Sequence, residues 1–314
     1  MPSPAGEKRR FLYGPVPSRR LGFSLGVDIL PFKTCTLDCV YCQLGASSRT
    51  TVRRGSFRDA KEVLRQIREA IASGARIDYI TFSGSGEPTL NRDLGRIIRG
   101  IKSMTDIPVA VLTNGTLLHR KEVREALMKA DLVVPSLDAV TPSLFARVNR
   151  PDKRLSLDRM LRGMARFRQE YKGKIWLEIM LIRGVNDSPA HVRKLRAAIE
   201  ALRPDKVQLN TVVRPPAEKG VRPLDEAGME AARKALGEGC EITVEFPRKT
   251  DAPLKGDLDQ AVLAIVRRRP VTAGDIGAAL GRSPFEVRTA LARLVKAGKV
   301  GEKAHGGKIF FEAG

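Results

Sequence analysis

Residues 35–42 have the sequence Cys-Thr-Leu-Asp-Cys-Val-Tyr-Cys, which is the most specific chemical signal in the chain. Cys35, Cys39 and Cys42 stand in it with the spacing C-x3-C-x2-C. Three thiolates can hold three irons of a [4Fe–4S] cubane and leave the fourth iron without a protein ligand. An open iron can accept a small-molecule chelate, so the spacing predicts a cluster that binds a small molecule.

Two other interpretations of the cysteines are open. Structural zinc prefers four Cys or His ligands, often in pairs, and the first histidine of the chain is His119. Three unrelated buried cysteines within eight residues would be unusual. The chain has four cysteines in all, and the fourth, Cys240, stands alone. We therefore expect no disulfide framework, and we predict that Cys240 is a buried structural thiol.

Short apolar segments alternate with amphipathic helical patterns after the cysteines. This alternation predicts βαβ units and a parallel sheet. Six or more such units favour an α/β fold that forms a partial or full (β/α) barrel, and the pattern alone leaves an open doubly wound sheet as the alternative. The carboxyl ends of barrel strands carry the chemistry. Ser56 is the expected N-cap of the first helix. Strands are predicted at about 79–82, 109–112, 132–137, 175–182, 207–213 and 242–246, and helices at about 58–73, 94–104, 121–129, 156–171, 191–202 and 224–236.

The composition changes near Arg248, and residues 248–255 are predicted to be a linker. The remaining chain predicts a small winged helix-turn-helix domain at 256–314, so that residues 1–247 form the barrel domain with an N-terminal extension. In a winged helix the third helix is the usual recognition element. Here it carries Arg288, Arg293 and Lys296. The predicted helices are at 258–268, 273–280 and 284–297, and the hairpin strands at 300–303 and 308–311.

The cysteine motif resembles the signature of the radical SAM superfamily over about residues 11–247. Tyr41 fits, because members commonly have an adenine-contacting aromatic residue before the last cysteine. Residues 14–22, Gly-Pro-Val-Pro-Ser-Arg-Arg-Leu-Gly, resemble a branch with wybutosine-forming tRNA-modifying enzymes and uncharacterised Fe–S oxidoreductases. The resemblance implies an enzyme whose [4Fe–4S] cluster reductively cleaves S-adenosylmethionine (SAM). The resulting 5′-deoxyadenosyl radical then abstracts hydrogen from a substrate.

A glycine-rich segment, Ser83-Gly84-Ser85-Gly86-Glu87-Pro88, follows the predicted strand 79–82. Glycines at a strand end let a ligand approach the backbone, and a carboxylate can accept hydrogen bonds from an ammonium group. The segment is similar to the GGEP element of the superfamily, which receives the amino group of SAM. A plain βα turn with a capping carboxylate is the alternative. The cofactor-binding residues expected here are Gly84, Gly86, Glu87 and Pro88.

Three more polar residues follow predicted strands. Asn114 comes after strand 109–112, although Asn-Gly is also a strong turn dipeptide. Ser136 and Asp138 end strand 132–137, where related enzymes place a serine or a carboxylate around the ribose and carboxylate of SAM. Asp138 could equally cap the next segment. With Tyr41, these residues complete the expected SAM site, and no catalytic residue is assigned.

The roles of several other polar residues are open. Glu178 lies inside strand 175–182 and is expected to point into the barrel. The remaining ones could contact SAM or substrate, or could only solvate loops: Arg19, Arg20, Arg147, Asn149, Arg150, Arg183, Asn186, Asp187, Asn210 and Arg214.

The chain is strongly basic, with 56 Lys and Arg against 35 Asp and Glu and a net charge of +21. Such an excess suggests an acidic partner, nucleic acid first, although a genome-wide bias toward arginine would have the same effect. No run of about 18 apolar residues and no secretory signal are present. We therefore expect a cytoplasmic protein that has no membrane segment.

Three functions fit these patterns. The first is a radical SAM enzyme that modifies RNA, with tRNA the favoured substrate. The second is a radical SAM enzyme that modifies a peptide or protein. The third is a DNA-binding regulator that uses the cluster as a redox sensor, and the SAM-type element at 84–88 argues against it. Both enzyme hypotheses require an electron donor such as flavodoxin or ferredoxin.

Overall fold

The structure is a computed structural model that describes residues 11–18, 20–46, 49–243, 258–267, 270–305 and 307–314. Its main feature is an eight-stranded sheet in which the strands follow one another in chain order. β1 and β2 are antiparallel, and all later neighbours are parallel. The strands are β1 (Leu12–Ser18), β2 (Gly22–Val27), β3 (Tyr79–Phe82), β4 (Val109–Thr113), β5 (Leu132–Pro135), β6 (Lys174–Leu181), β7 (Lys206–Thr211) and β8 (Cys240–Ile242).

Helices connect the parallel strands, as the alternating pattern predicted. The one-turn helix α4 (Pro142–Leu144) was not predicted, and the ends of the other six differ from the expected ones by at most two residues. Two short turns, a 3₁₀ turn at Pro88–Leu90 and a π-helical turn at Phe145–Asn149, were not predicted. The helices are α1 (Ala60–Ala72), α2 (Leu94–Lys102), α3 (Lys121–Leu127), α4 (Pro142–Leu144), α5 (Leu157–Glu170), α6 (Pro189–Leu202) and α7 (Glu226–Leu236).

Within the described residues β1 pairs only with β2, and β8 only with β7. The sheet is therefore open, and of the two predicted barrel forms the partial one is observed. A short strand, β8, begins two residues before the expected strand at 242–246 and shares only Ile242 with it. Residues 244–246 and the predicted linker at 248–255 lie outside the described residues.

Alternation along the strands separates two apolar layers. In β6, Ile175, Leu177, Ile179 and Leu181 are buried in the main core with the helices, while the residues between them face the concave side of the sheet. A separate cluster fills part of that concave side. It consists of Leu21, Tyr79, Leu112, Ala110, Leu132, Val134 and Trp176. This inner layer leaves the carboxyl ends of the strands for polar residues.

The last part of the chain forms a unit of three helices and an antiparallel hairpin, here called the C-terminal unit. Its elements are α8 (Leu258–Val266), α9 (Ala273–Leu280), α10 (Pro284–Lys296), β9 (Val300–His305) and β10 (Lys308–Ala313). The unit has its own apolar core, which includes Val16 and contacts Tyr13 of β1. It therefore covers the edge strand of the large sheet. No helix in the described ranges is long and apolar enough to span a bilayer.

Candidate functional site

The three cysteines lie on a loop, residues 32–46, that is held against the ends of the parallel strands. This cysteine loop forms a β-bridge between Thr34 and Gly86, which follows β3. The Val40 amide donates a hydrogen bond of 3.0 Å to the carbonyl of Val148, beyond β5. The loop thus lies over the carboxyl ends of the strands, where a barrel fold places its chemistry.

Two asparagine side chains face the cysteine sulfurs. Asn114 Nδ2 lies 3.5 Å from Cys35 Sγ, and Asn149 Nδ2 lies 3.4 Å from Cys39 Sγ. Burial raises the pKa of Cys35 to about 12 and the pKa of Cys39 well above its usual value. Both groups are therefore neutral thiols at pH 7 until a metal displaces their protons.

The donor set fits an iron–sulfur cluster. Thiolates are the ligands that such clusters use, and amide N–H groups directed at the sulfurs tune them. In the described part of the chain, no three His, Cys, Asp or Glu side chains form a site for a single metal ion. In a cubane each of the three cysteines binds a different iron. Cys240 is buried in β8, as predicted.

Lys33 brings a positive charge to the cysteine loop and was not singled out from the sequence. Its ammonium lies 3.4 Å from Asp38 and donates a hydrogen bond to the carbonyl of Gly45. Burial alone would lower the pKa of Lys33, but the neighbouring Cys42 and Asp38 outweigh it and raise that pKa. Lys33 therefore remains charged and joins the two ends of the loop.

Glu87 is buried and fully engaged by hydrogen-bond donors of its own chain. Its carboxylate accepts from Thr89 N at 3.0 Å, Thr89 Oγ1 at 2.6 Å, Thr113 Oγ1 at 2.6 Å and Asn114 N at 2.7 Å. Burial raises the pKa of Glu87, although these hydrogen bonds oppose the shift. Glu87 caps the turn at Pro88–Leu90 and fixes the end of β4. Its observed contacts are therefore those of a capping carboxylate, the alternative stated for this segment.

Gly86 and Gly84 are required by close contacts within the chain. A Cβ on Gly86 would lie 1.9 Å from the carbonyl oxygen of Thr34, where the cysteine loop passes. Gly84 has a φ of +134°, and a Cβ there would lie 2.7 Å from Cγ of Asp28. Glycine at 86 thus lets the cysteine loop dock on the segment after β3, a role that the sequence did not reveal.

Asp138 connects the residues expected around SAM. Its Oδ2 accepts from Tyr41 Oη at 2.5 Å and Asn149 Nδ2 at 2.7 Å, and its Oδ1 accepts from Met180 N at 2.9 Å. Burial raises the pKa of Asp138 to about 6, against the effect of these hydrogen bonds. The carboxylate therefore fixes the Tyr41 ring relative to the carboxyl end of β5.

A small cavity brings together four of the predicted residues, and Asn149 lines it too. Its volume of about 10 Å³ admits roughly one water molecule. SAM binding here therefore requires side chains to move. Asn149 belongs to the π-helical turn Phe145–Asn149, a geometry that is frequent at functional sites and has no sequence pattern. The four predicted residues are Tyr41, Asn114, Ser136 and Asp138.

A polar network lies on the concave face of the sheet. Glu178 points there, as predicted, and accepts from Arg20 Nη1 at 2.8 Å and Asn210 Nδ2 at 2.7 Å. Gln208 Oε1 lies 3.5 Å from the same Arg20 nitrogen, and no sequence pattern singles out this glutamine. Arg19 lies outside the described residues.

The other residues with open roles have contacts of their own. Asn186 is buried and donates to the carbonyls of Asp138 and Met180, so it supports the site from behind. Arg147 is exposed. The rest form pairs: Arg150 with Glu218, Arg183 with Asp225, Asp187 with the amide of Gly184, and Arg214 with Gln43.

Comparison with known proteins places the chain among relatives over nearly its whole length. The family model of the radical SAM superfamily matches residues 29–195. A UPF0026 protein of Methanocaldococcus jannaschii is 34% identical over 310 residues, which cover 95% of this chain and 94% of that protein. A protein named GTPase Obg from Brachyspira hyodysenteriae is 37% identical over 308 residues. That match covers 97% of this chain but 45% of the relative, so the chain spans less than half of its length.

Two further comparisons concern a more distant relative and a fold. A probable dual-specificity RNA methyltransferase of Opitutus terrae is 27% identical over 226 residues, covering 65% of this chain and 60% of that protein. Among solved structures, a radical SAM methyltransferase from Sphaerobacter thermophilus superposes with a TM-score of 0.51 at 18% identity. This superposition covers 82% of this chain and 70% of the other, and it establishes a shared fold.

Proposed function

Because this chain belongs to the radical SAM superfamily and is an enzyme that uses a [4Fe–4S] cluster and SAM, we propose that its substrate is RNA, with tRNA favoured. When bound, the cofactors supply a 5′-deoxyadenosyl radical that abstracts hydrogen from the substrate. Such enzymes need an electron donor, and we propose flavodoxin or ferredoxin. Membership in an enzyme superfamily disfavours the redox-sensing regulator.

The cofactor sites are proposed on the contacts described above. Cys35, Cys39 and Cys42 supply thiolate ligands, and Asn114 and Asn149 donate N–H groups to two of them. Glu87 orients Asn114 through its main chain. The residues proposed to surround SAM are Tyr41, Gly84, Gly86, Glu87, Pro88, Asn114, Ser136 and Asp138.

The observation that carries the RNA proposal is the exposed face of α10 in the C-terminal unit. Phe285 is 74% exposed, and Arg288 and Lys296 are exposed one and three turns further along the same helix. Arg293, expected on that face, instead pairs with Asp259 of α8 at 2.7 Å. An exposed aromatic ring followed by exposed cations on one helix face suits stacking on bases and contact with phosphates.

Three further observations support this substrate. The helix–helix–helix–hairpin order of the C-terminal unit is that of a winged helix, and we propose that residues 256–314 form such a domain beside a barrel domain at 1–247. The net charge of +21 favours binding to a polyanion. One relative is itself named an RNA methyltransferase. A cytoplasmic location follows from a tRNA substrate.

The test measures 5′-deoxyadenosine released from SAM by the anaerobically reconstituted, reduced protein, with and without bulk tRNA. We expect tRNA to raise the yield, and Cys39→Ala to abolish it. If the amount of 5′-deoxyadenosine does not change with tRNA but rises with peptide substrates, the enzyme modifies a peptide or protein instead.

A matched pair of variants tests whether α10 binds the tRNA. Arg288→Ala is expected to weaken tRNA binding and reduce its salt dependence. Lys172→Ala removes the same charge from an exposed position just before β6, at the opposite end of the strands, and is expected to change neither. If the two variants bind tRNA with the same affinity and salt dependence, the exposed face of α10 does not bind the RNA.

A further inference from the structure

A cavity of about 290 Å³ lies between the cysteine loop and the C-terminal unit. On one side it is lined by the loop residues Phe32, Gln43, Leu44 and Gly45. On the other side it is lined by the end of α8 and the hairpin β9–β10. The volume is close to the lower end of the roughly 300–1,000 Å³ range of small-ligand sites. Since Gln43 directly follows Cys42, the cavity begins beside a predicted cluster ligand.

The cavity lies on the open side of the sheet. The C-terminal unit packs on β1 through Val16 and reaches the chain after β7, where His305 Nε2 lies 3.4 Å from the carbonyl oxygen of Val212. Residues 215–217 of that same segment also line the cavity. The unit therefore bridges from the first strand to the segment after β7, and the cavity lies beneath this bridge.

The lining combines an aromatic ring with two cations. Phe32 is 63% exposed although it is a large apolar side chain. Arg267 and Lys303 are also exposed, and within the described ranges neither side chain forms a hydrogen bond or an ion pair. The polar groups of Gln43 and Glu312 complete the lining. The cavity thus brings an exposed ring and two exposed cations together.

We propose that this cavity binds a single unstacked nucleotide of the RNA substrate. In this assignment, which rests on the proposed function, the base stacks on Phe32, and Arg267 and Lys303 hold the flanking phosphates. Gln43 and Glu312 supply the hydrogen-bonding groups that can contact base edges. Base–aromatic stacking combined with cationic phosphate contacts is how proteins hold single-stranded RNA.

The charge distribution favours a nucleotide over a peptide. An extended peptide that adds to a strand edge is held mainly by main-chain hydrogen bonds, and such binding makes no use of the two cations Arg267 and Lys303. Two cations against one carboxylate leave the lining positive, which suits a phosphodiester. A nucleotide held here lies next to Gln43 and so close to the cysteine loop.

The test uses full-length, cluster-loaded protein and fluorescently labelled tRNA. Binding is measured over a series of salt concentrations for wild type, Phe32→Ala, Lys303→Ala and the double variant Arg267→Ala/Lys303→Ala. Lys172→Ala is the charge-matched control. Visible absorbance checks the cluster content of each protein, so that a folding defect is recognised.

We expect Phe32→Ala to weaken tRNA binding about 5- to 150-fold, the range measured for lost base stacking. Each lysine or arginine removed should reduce the slope of log affinity against log salt by about 0.7. Lys172→Ala should leave affinity and slope unchanged.

Several outcomes overturn the assignment, and they are distinguishable. If wild type binds tRNA and the three cavity variants bind it equally well, the cavity assignment is wrong while the RNA function stands. If wild type neither binds tRNA nor responds to it in SAM cleavage, the proposed function fails and the assignment with it. If a free nucleoside monophosphate binds with the same variant dependence but tRNA does not, the ligand is a free nucleotide and the RNA assignment is wrong.

Discussion

At the scale of single residues, the site is organised by two asparagines more than by charges. Asn114 contacts Cys35, and Asn149 contacts both Cys39 and Asp138. Asn149 thus joins a predicted iron ligand to Asp138 of the expected SAM site, and Asn114, itself expected in that site, contacts a second predicted iron ligand. These amide N–H donors do not change charge with pH, unlike the carboxyl group of Asp138, whose pKa burial raises to about 6.

Replacing Asn149 tests this organisation. Asn149→Ala removes the N–H groups facing Cys39 Sγ and Asp138, and loss of such a supporting contact typically weakens metal affinity 10- to 100-fold. We expect faster loss of iron to a chelator, followed by absorbance. Arg147→Ala changes an exposed residue of the same π-helical turn and should behave as wild type. Equal iron retention in both variants would contradict the role of Asn149.

Glu87 provides a second residue-scale prediction. Glu87→Gln places an NH₂ group where one carboxylate oxygen accepts, so at least one buried N–H or O–H loses its acceptor. We expect a loss of about 1–3 kcal/mol in the free energy of unfolding, measured with urea on the cluster-free protein. The control is Glu200→Gln, an exposed residue of α6. A loss no larger than that of the control would show that these hydrogen bonds contribute little.

At the scale of helices and strands, the apolar periodicity predicted whether a segment is helix or strand better than it predicted where the element begins and which residue caps it. α1 begins at Ala60. Its N-cap is Asp59 and not the expected Ser56, because the Asp59 carboxylate accepts from Lys61 N. The antiparallel pair β1–β2 was not predicted, since Gly and Pro interrupt its apolar pattern. Gly14 and Pro15 lie in β1, where the pairing register shifts between Tyr13 and Val16.

Glu170, at the end of α5, leads to a prediction on pH and stability. It pairs with Arg124 of α3 at 2.7 Å and Arg166 at 2.8 Å, and these hydrogen bonds lower the pKa of Glu170 to about 2. A carboxyl group with a depressed pKa stabilises the fold above its unfolded pKa and loses that effect as pH falls toward its folded pKa. The contribution is about 1 kcal/mol, because the carboxylate is one-third exposed and solvent screens the pair.

Glu170→Gln should therefore lower the free energy of unfolding at pH 7. The difference from wild type should persist down to about pH 4.5 and shrink between pH 4.5 and 2, as urea titrations at several pH values would reveal. Glu200→Gln, a solvent-exposed pair member on α6, is the control. A difference that is constant over this pH range would exclude ionisation of Glu170 as its cause.

At the scale of the whole molecule, sequence and structure agree where local patterns suffice. The cysteine spacing, the βα alternation and the helical C-terminal unit are all local, and each could be predicted. The contacts that join distant segments could not. Asn149 is 110 residues from Cys39, and the docking of the C-terminal unit on Val16 has no signal in either segment. Gln208 likewise has no signal in the sequence, and only its contact with Arg20, which pairs with Glu178, identifies it.

Removing the C-terminal unit should damage the barrel as well as RNA binding. A chain ending at residue 255 exposes Val16 and the edge of β1, and uncovered sheet edges promote association. We expect this chain to aggregate in size-exclusion chromatography. The full-length Arg288→Ala variant, altered only on the exposed face of α10, should stay as monodisperse as wild type. A monodisperse truncated chain with wild-type thermal stability would show that the two parts fold independently.

The docking of the C-terminal unit on β1 also has a consequence for biosynthesis. β1 ends at Ser18 and its covering helix α8 begins at Leu258, so about 240 residues separate them. At roughly 5–20 residues per second, the ribosome needs about 12–48 seconds after completing β1 to reach α8. During that interval the nascent chain carries an unprotected strand edge, which makes this protein a natural client for a ribosome-associated chaperone.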